Sequence, residues 1–242
     1  MPALLSISGL QKSFGAVVVA DGTSFEVAEG EAVGILGPNG AGKTSLFNLI
    51  TGALPPDAGT ITFGGQDISA TGAAQRCKLG IARSFQVPQP FGGMTVFENA
   101  LVGAMEGAGL RGAEAEAHVL SVLNDTGLLP KANVRAGTLT LLERKRLEMA
   151  RALAARPRLL LLDEIAGGLT EAECTALIET IQRVHAGGTT IIWIEHVVHA
   201  LLAVVERLIV IDFGKKIAEG PPKTIMDSAQ VKEIYLGVDP DV

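Results

Sequence analysis

The stretch that decides the fold of this chain is Gly37-Pro38-Asn39-Gly40-Ala41-Gly42-Lys43-Thr44. The apolar run Ala32–Leu36 precedes it, and the helical pattern Thr44–Thr51 follows it. The spacing G-x-x-x-x-G-K-[ST] between a strand and a helix is typical of a P-loop, and all the fixed positions match. The alternative, a glycine turn that happens to contain a lysine, is therefore disfavoured.

A loop of this kind binds phosphate groups. Its glycines let the backbone curl so that successive N–H groups point at one phosphate chain. The N-terminus of the following helix places its positive dipole end on the same anion. Lys43 can reach the terminal phosphates, and the hydroxyl of Thr44 can ligate Mg²⁺. The sequence therefore predicts that residues 37–44 bind ATP together with Mg²⁺.

A second stretch ends an apolar run with two carboxylates: Leu159-Leu160-Leu161-Leu162-Asp163-Glu164. Asp163 would hold Mg²⁺, directly or through water, and Glu164 would polarise the water that attacks the phosphate. An apolar strand that ends in Asp-Glu is common by itself. Together with a P-loop, it indicates ATP hydrolysis.

Two further polar side chains are predicted at the same edge of a sheet. Gln86 and His196, like Gly37 and Asp163, each follow the carboxyl end of a predicted strand. Ligands bind at that edge in open α/β sheets. Gln86 can coordinate Mg²⁺ or position water, and His196 can donate a hydrogen bond to a γ-phosphate. We therefore expect these residues to share one site.

The alternation of strands and helices predicts an α/β fold, a P-loop ATPase core with a mainly parallel sheet. The predicted strands are Ala32–Leu36, Gly80–Phe85, Leu159–Leu162, Thr189–Ile194 and Leu208–Ile211. The predicted helices are Thr44–Thr51, Glu114–Leu123, Leu141–Ala154 and Thr170–His185. Residues 4–31 are typical of antiparallel strands. After Gly220 we expect a Pro-Pro turn, a helix and a short polar end.

We expect a single domain over residues 1–242. In it, residues 1–86 and 157–242 form the α/β core with its N-terminal antiparallel β subdomain. Residues 87–156 contain three helical patterns and no clear strand, so they are predicted to form a helical insertion.

Composition narrows the possible classes of protein. Of the 242 residues, 48% are apolar and 19% are charged, so a sizeable core can be buried. The net charge of −6 argues against a nucleic-acid partner, which usually meets a basic face. Cys77 and Cys174 lack metal or redox spacing, which favours free thiols in a reducing compartment. We see no N-terminal signal and no apolar run of about 18 residues, so we expect any membrane role to come through a partner.

Two other groupings of residues are weaker candidates for a site. His196 and His199 are spaced for a metal on a helix, but no third ligand is obvious, so we expect no zinc site. The charged run Glu143–Arg151 is mixed in sign, which favours a solvated helix face over a nucleic-acid patch.

Taken together, these residues resemble the ATP-binding subunit of ABC transporters over nearly the whole chain. In that family Gln86 matches the Q-loop, Asp163-Glu164 the Walker B pair and His196 the switch histidine. Phe14 stands where the family's aromatic residue stacks on adenine, although a packed strand phenylalanine is an equally open interpretation. The resemblance implies a head-to-tail dimer with two ATP molecules, each between the P-loop of one subunit and the signature motif of the other.

Within the family, the chain is similar to the branched-chain (hydrophobic) amino-acid importer group. The similar segments are Gly80–Gln86, Phe91–Asn99, Arg146–Glu148, Ile194–His196, Ala218–Gly220 and Tyr235–Gly237. Lipopolysaccharide-export and urea-import ATPases share several of them. The resemblance implies membrane-spanning permease subunits as partners, a second identical or different ATPase subunit, and no direct contact with the solute. It places the chain in the cytoplasm, peripheral on the inner face of the cell membrane.

The loop Val87–Phe91, with two prolines and an aromatic residue, has two interpretations. It is either an ordinary surface turn or, as the resemblance implies, the surface that grips a coupling helix of the membrane subunit.

The signature motif, carried by the helical insertion, departs from the family pattern. The family has Leu-Ser-Gly-Gly-Gln where this chain has Leu139-Thr140-Leu141-Leu142-Glu143. Thr140 retains a hydroxyl that could contact nucleotide at a helix start, but the close backbone approach that glycines allow is lost. We favour the interpretation in which the helix shifts and still serves in trans. Alternatively, hydrolysis is weak at this site, or Leu141 and Leu142 pack inward and leave the half-site formed by the signature motif inactive.

Two smaller departures follow the Walker B pair. Ile165 replaces the expected proline, and Thr170 replaces an acidic or amide residue and is suited to capping the next helix.

Three functions compete on this basis. The first is the ATPase motor of a membrane importer for amino acids. The second is a soluble ABC-type ATPase of DNA repair or translation, which the single cassette and short insertion disfavour. The third is a nucleotide-binding subunit that scarcely hydrolyses ATP, which the altered signature keeps open.

Overall fold

The computed structural model of the chain describes residues 3–236. The strands along this part of the chain are β1 (Ala3–Phe14), β2 (Val17–Ala28), β3 (Ala32–Leu36), β4 (Ala58–Phe63), β5 (Gln66–Asp67), β6 (Ile81–Arg83), β7 (Leu159–Asp163), β8 (Thr190–Ile194), β9 (Arg207–Asp212) and β10 (Lys215–Gly220). The α-helices are α1 (Lys43–Thr51), α2 (Ala73–Lys78), α3 (Val96–Val102), α4 (Gly112–Asp125), α5 (Leu141–Ala154), α6 (Glu171–Ala186), α7 (Val198–Leu202), α8 (Pro222–Asp227) and α9 (Ala229–Leu236). A π-helical turn, Gly103–Gly107, continues α3, and short 3₁₀ turns are Leu129–Lys131 and Ala136–Thr138.

The chain divides into two compact units. The first comprises residues 1–72 and 192–242, and the second comprises residues 73–191, so the boundary falls within β8. These boundaries differ from the core (1–86 and 157–242) and helical insertion (87–156) expected from the sequence. That expected division remains a prediction.

The first unit contains an antiparallel sheet in the order β2-β1-β4-β5. The central strand β1 sets Ile7 opposite Phe25 of β2 and opposite Ile61 of β4. All three side chains are buried, so this face of the sheet contributes to the core. The prediction of antiparallel strands in residues 4–31 is confirmed.

The first unit also contains the strands around the P-loop. β3 pairs in parallel with β9, with Ile35 opposite Ile209, and β9 pairs antiparallel with β10. Every residue of β3 is buried. A continuous apolar run of this kind is typical of a strand that is covered on both faces of a parallel sheet.

The second unit combines a parallel strand pair with a helical cluster. β6 pairs in parallel with β7, with Ala82 opposite Leu160. Helices α3, α4 and α5 pack around buried apolar side chains, among them Val96, Val119 and Leu147. In the helical part of this unit, between Gln86 and Pro157, the structure describes no strand beyond an isolated bridge of Thr95 with Arg135. The predicted α/β fold with parallel strands and helices is therefore confirmed.

Element ends differ from the sequence predictions at a few places. β7 includes Asp163 as its last residue, and α8 begins at Pro222, so the two prolines open a helix instead of a turn. Proline is well suited to this position because its missing N–H would have no partner within the helix. The predicted polar end falls at residue 237 and beyond, outside the described residues. Within residues 3–236, no helix has the length and apolar character needed to cross a membrane.

Candidate functional site

The P-loop is built from backbone conformations that favour glycine. Gly42 is the N-cap of α1 and has a φ of 100°, in the left-handed region. A Cβ atom at this position would overlap the carbonyl oxygen of Val19 in β2. A Cβ atom at Gly37 would likewise overlap the carbonyl oxygen of Ile211 at the end of β9. These two glycines are therefore required by close packing of backbone against backbone.

Lys43 is held within the same loop. Its ammonium group donates hydrogen bonds of 2.8 Å to the carbonyl of Gly37 and 2.9 Å to the carbonyl of Pro38, and the residue is only 6% exposed. The next residue, Thr44, lies exposed on the first turn of α1. The loop thus places the ammonium group of Lys43 and the accessible hydroxyl of Thr44 at a helix N-terminus. Such an arrangement suits an anion that carries a bound metal ion.

The turn between β9 and β10 supports the P-loop. Gly214 donates a 2.9 Å hydrogen bond from its N–H to the carbonyl of Ala41. The carbonyl of Gly214 accepts from the N–H of Asp21 at 2.9 Å and from the hydroxyl of Thr23 at 2.6 Å. Sequence reasoning missed this support. The only signal is a glycine at a tight turn directly after a strand.

Phe14 lies at the end of β1 and is 53% exposed. The ammonium group of Lys12 lies 5.5 Å from the centre of its ring, and Lys12 also pairs with Asp57 at 2.7 Å. The structure therefore does not bury Phe14 as a core side chain. An exposed ring at a fixed strand end is suited to stacking on a flat base.

His196 is exposed just after β8, and the residue before it is buried. The carboxylate of Glu195 accepts hydrogen bonds from the N–H groups of His196 at 3.0 Å and Val197 at 3.3 Å. Glu195 thus fixes the backbone from which His196 projects. In the sequence, Glu195 stands out only as part of the segment Ile194–His196 that is similar to the importer group.

The carboxylate of Asp163 is paired with an arginine that sequence reasoning missed. Arg83, at the end of β6, places Nη2 2.5 Å from Oδ2 of Asp163. Because Arg83 pairs with Leu161 in the parallel register, the ends of β6 and β7 lie side by side. The sequence signal for this pair is a basic residue at the end of an apolar strand.

Glu164 and Gln86 lie together. The side-chain amide nitrogen of Gln86 donates a short hydrogen bond to Oε2 of Glu164. Glu164 has a φ of +46°, which is uncommon for a residue with a side chain and costs about 1 kcal/mol or more. Backbone strain of this kind occurs frequently at functional sites. The structure therefore brings together two of the residues predicted to handle the attacking water.

Thr140 is the N-cap of α5 in a capping box. Its hydroxyl accepts from the N–H of Glu143 at 3.4 Å, and the Glu143 carboxylate accepts from the N–H of Thr140 at 3.0 Å. A hydrogen bond from Lys131 holds the pKa of Glu143 below its ordinary value. Leu141 is 46% exposed, so the interpretation in which both leucines pack inward is wrong for Leu141.

The charged run on α5 is not a uniformly solvated face, and that prediction is wrong. Lys145 and Glu148 are buried. Burial raises the pKa of Glu148, and Arg151 opposes that effect.

The prediction that Thr170 caps the next helix is confirmed, because Thr170 caps α6 in a capping box with Glu173.

Each unit thus gathers its own set of predicted residues. The first unit holds Phe14, residues 37–44 and His196, and the second holds Gln86, Asp163, Glu164 and Thr140. That these residues share one site remains a prediction.

Comparison with known proteins agrees with these features. A sequence model described as "ABC transporter" matches residues 20–167, and one described as "Branched-chain amino acid ATP-binding cassette transporter" matches residues 215–241. The high-affinity branched-chain amino acid transport ATP-binding protein LivG of Salmonella typhimurium is 35% identical over 97% of this chain and 98% of LivG. The lipopolysaccharide export system ATP-binding protein LptB of Acidithiobacillus ferridurans is 34% identical over 98% of each chain.

A solved structure has the same fold. The ADP conformation of an ATP-binding cassette of an ABC transporter superposes with a TM-score of 0.89 and is 31% identical, covering 98% of this chain and 100% of that one. The family match over more than half of the chain and the full-length relatives identify the family. The chain belongs to the ABC transporter family, as an ATP-binding subunit.

Proposed function

We propose that this chain is the ATP-hydrolysing motor subunit of an ABC transporter that imports branched-chain or other hydrophobic amino acids. The observation that carries the proposal is the hydrogen bond of Gln86 to Glu164 at the end of β7. It holds a carboxylate next to Asp163, on a strained residue, where a general base is needed. The full-length similarity to LivG supports the choice of solute.

The P-loop residues would bind the nucleotide. Backbone N–H groups of residues 37–44 would meet the phosphates, Lys43 would neutralise their charge, and Phe14 would stack on adenine. The buried position of Lys43 and the exposed ring of Phe14 support these roles. His196 would donate a hydrogen bond to the γ-phosphate from the backbone that Glu195 fixes.

The residues present fit Mg²⁺. This ion prefers oxygen ligands, keeps several water molecules and needs only one or two protein groups. The hydroxyl of Thr44, the carboxylate of Asp163 and the amide oxygen of Gln86 are of this kind. Gln86 uses its amide nitrogen on Glu164, so its oxygen is the atom suited to a cation. Bound Mg²⁺ would neutralise charge on the phosphate oxygens.

Glu164 would act as the general base. Its carboxylate would accept a proton from water while the water oxygen forms a bond to the γ-phosphorus. The bond from that phosphorus to the bridging oxygen breaks, and ADP leaves with the electron pair. Gln86 would hold the carboxylate in the orientation needed for the transfer.

A subunit that binds ATP but hydrolyses it weakly is the second candidate. The hydroxyl and the N–H of Thr140 are both used in the capping box, so contact with a second nucleotide would compete with the cap. The exposed Leu141 at the same helix end would also have to clear the nucleotide. We still favour a signature segment that serves in trans, because the start of α5 keeps its dipole.

The partners follow from the same proposal. The chain would act with membrane-spanning permease subunits and a second ATPase subunit, on the cytoplasmic face of the membrane, without touching the solute or nucleic acid. Export of lipopolysaccharide and import of urea are the alternative transport tasks, and the similarity to LptB keeps the first of these open.

Uptake by the isolated complex tests the transport task. The tagged chain would be purified with its membrane subunits, placed in proteoliposomes and given Mg-ATP with labelled leucine, valine or urea. We expect ATP-dependent uptake of leucine and valine that a complex with Lys43→Ala lacks. Uptake of urea alone, or failure to recover a membrane-spanning partner, would contradict the proposed importer.

A further inference from the structure

The loop that follows Gln86 is held far more firmly than its lack of regular structure suggests. We call residues 87–91 the anchored loop. It lies between β6 and α3, and its apolar side chains Val87 and Phe91 are exposed. Two sets of side chains bind its backbone, and both come from helices of the same unit.

The first anchor is a charged pair on α5. The carboxylate of Glu148 accepts from the N–H of Gln89 at 3.0 Å. Arg151 donates from Nη1 to the carbonyl of Gln89 at 3.1 Å and to Glu148 at 2.9 Å. The pair therefore binds both backbone groups of one loop residue.

The second anchor is an amide on α3. Asn99 accepts from the N–H of Phe91 at 2.9 Å and donates to the carbonyl of Phe91 at 3.1 Å. It also donates to the carbonyl of Thr95 at 2.8 Å. The guanidinium of Arg151 lies 5.0 Å from the centre of the Phe91 ring and so links the two anchors.

Burying the polar side chains of these anchors costs free energy, so packing alone does not explain them. Glu148 is 3% exposed and Asn99 is fully buried. Burying a carboxylate disfavours folding unless it is paired and hydrogen-bonded, and an apolar residue of similar size is often at least as stable. Side chains that bind a loop's N–H and carbonyl groups instead fix the position of its backbone.

We propose that Glu148, Arg151 and Asn99 are positioning residues, which fix the anchored loop so that Gln86 keeps its hydrogen bond to Glu164. The assignment rests on the proposed function, because it gives Gln86 a part in hydrolysis. The anchors bind three and five residues beyond Gln86, close enough to limit where its backbone can move. Loss of the anchors therefore frees Gln86 without touching the P-loop.

Hydrogen exchange measures the anchoring without any turnover. The test variant is Glu148→Met with Arg151→Met, which removes the acceptor for the N–H of Gln89 and leaves no buried charge unpaired. Asn99→Leu is a second variant. The control is Arg156→Met, which removes an ion pair with Glu114 and does not bind the loop. We expect the amides of Val87, Gln89 and Phe91 to exchange about tenfold faster in both test variants. Unchanged exchange would overturn the anchoring.

ATP turnover then tests whether the anchors affect hydrolysis through Gln86. We expect the test variant to lower kcat about tenfold with KM unchanged, and to have little further effect in a Gln86→Ala background. Equal losses in both backgrounds would overturn the positioning role. A wild-type chain with no turnover, alone or with its membrane subunits, would count against the proposed function, while the exchange result would still decide the anchoring.

Discussion

Nη2 of Arg83 lies 2.5 Å from Oδ2 of Asp163, and both side chains are almost fully buried. The guanidinium therefore compensates a carboxylate that would otherwise be costly to bury. We expect Arg83→Met to lower the free energy of unfolding by about 3 kcal/mol, because it removes one partner of a buried pair. Urea unfolding of the two proteins at neutral pH measures this difference.

The matched control for that pair removes both charges. In Arg83→Met with Asp163→Asn, no buried carboxylate loses its partner, so most of the lost stability should return. If Arg83→Met alone unfolds at the wild-type urea concentration, the pair does not stabilise the fold.

Two capping boxes of the same kind separate capping from nucleotide binding. Thr140 caps α5 with Glu143, and Thr170 caps α6 with Glu173. We expect Thr140→Ala and Thr170→Ala each to lower the free energy of unfolding by about 1 kcal/mol. Only Thr140→Ala should also lower ATP turnover, because only its segment matches the signature motif. If both variants hydrolyse ATP at the same rate, Thr140 acts only as the cap of α5.

Burial of Glu148 predicts a pH dependence of stability. Its pKa in the folded chain is raised by burial, against the opposing effects of Arg151 and the N–H of Gln89. The folded state therefore binds the proton more tightly than the unfolded state. The stability from this group is present below the ordinary pKa of 4.5 and is lost as the pH rises through the raised value.

The measurement compares the wild type with Glu148→Gln, which does not titrate. The free energy of unfolding of the wild type, relative to the variant, should fall as the pH rises from about 4.5 to 7.5. A difference that stays constant or grows over this range would show that Glu148 is not disfavoured as a carboxylate in the fold.

Local sequence pattern was sufficient to predict much of the fold. The run Ala32–Leu36 and the helix Leu141–Ala154 have the predicted bounds, because continuous apolar runs and capped periodic runs carry their own signals. The capping box of Thr170 was also visible, since it needs only a spacing of three residues. The roles assigned to the P-loop and Walker residues remain predictions.

Contacts between distant parts of the chain could not be predicted. Arg83 and Asp163 are 80 residues apart in sequence, and only the pairing of β6 with β7 brings them together. Glu148 looked like one charge in a mixed, solvated run, but it is buried against the backbone of Gln89. Tertiary packing decides such cases, and residue type or spacing does not reveal them.

The most direct test of the central claim is steady-state ATP turnover by the purified chain in Mg²⁺, comparing wild type, Glu164→Gln and the exposed control Glu171→Gln. If Glu164 is the general base, Glu164→Gln should lower kcat about 100-fold or more while nucleotide affinity stays near the wild-type value. The control should keep wild-type turnover, and Lys43→Ala should lose nucleotide binding. Unchanged turnover in Glu164→Gln would contradict the claim that this carboxylate drives hydrolysis.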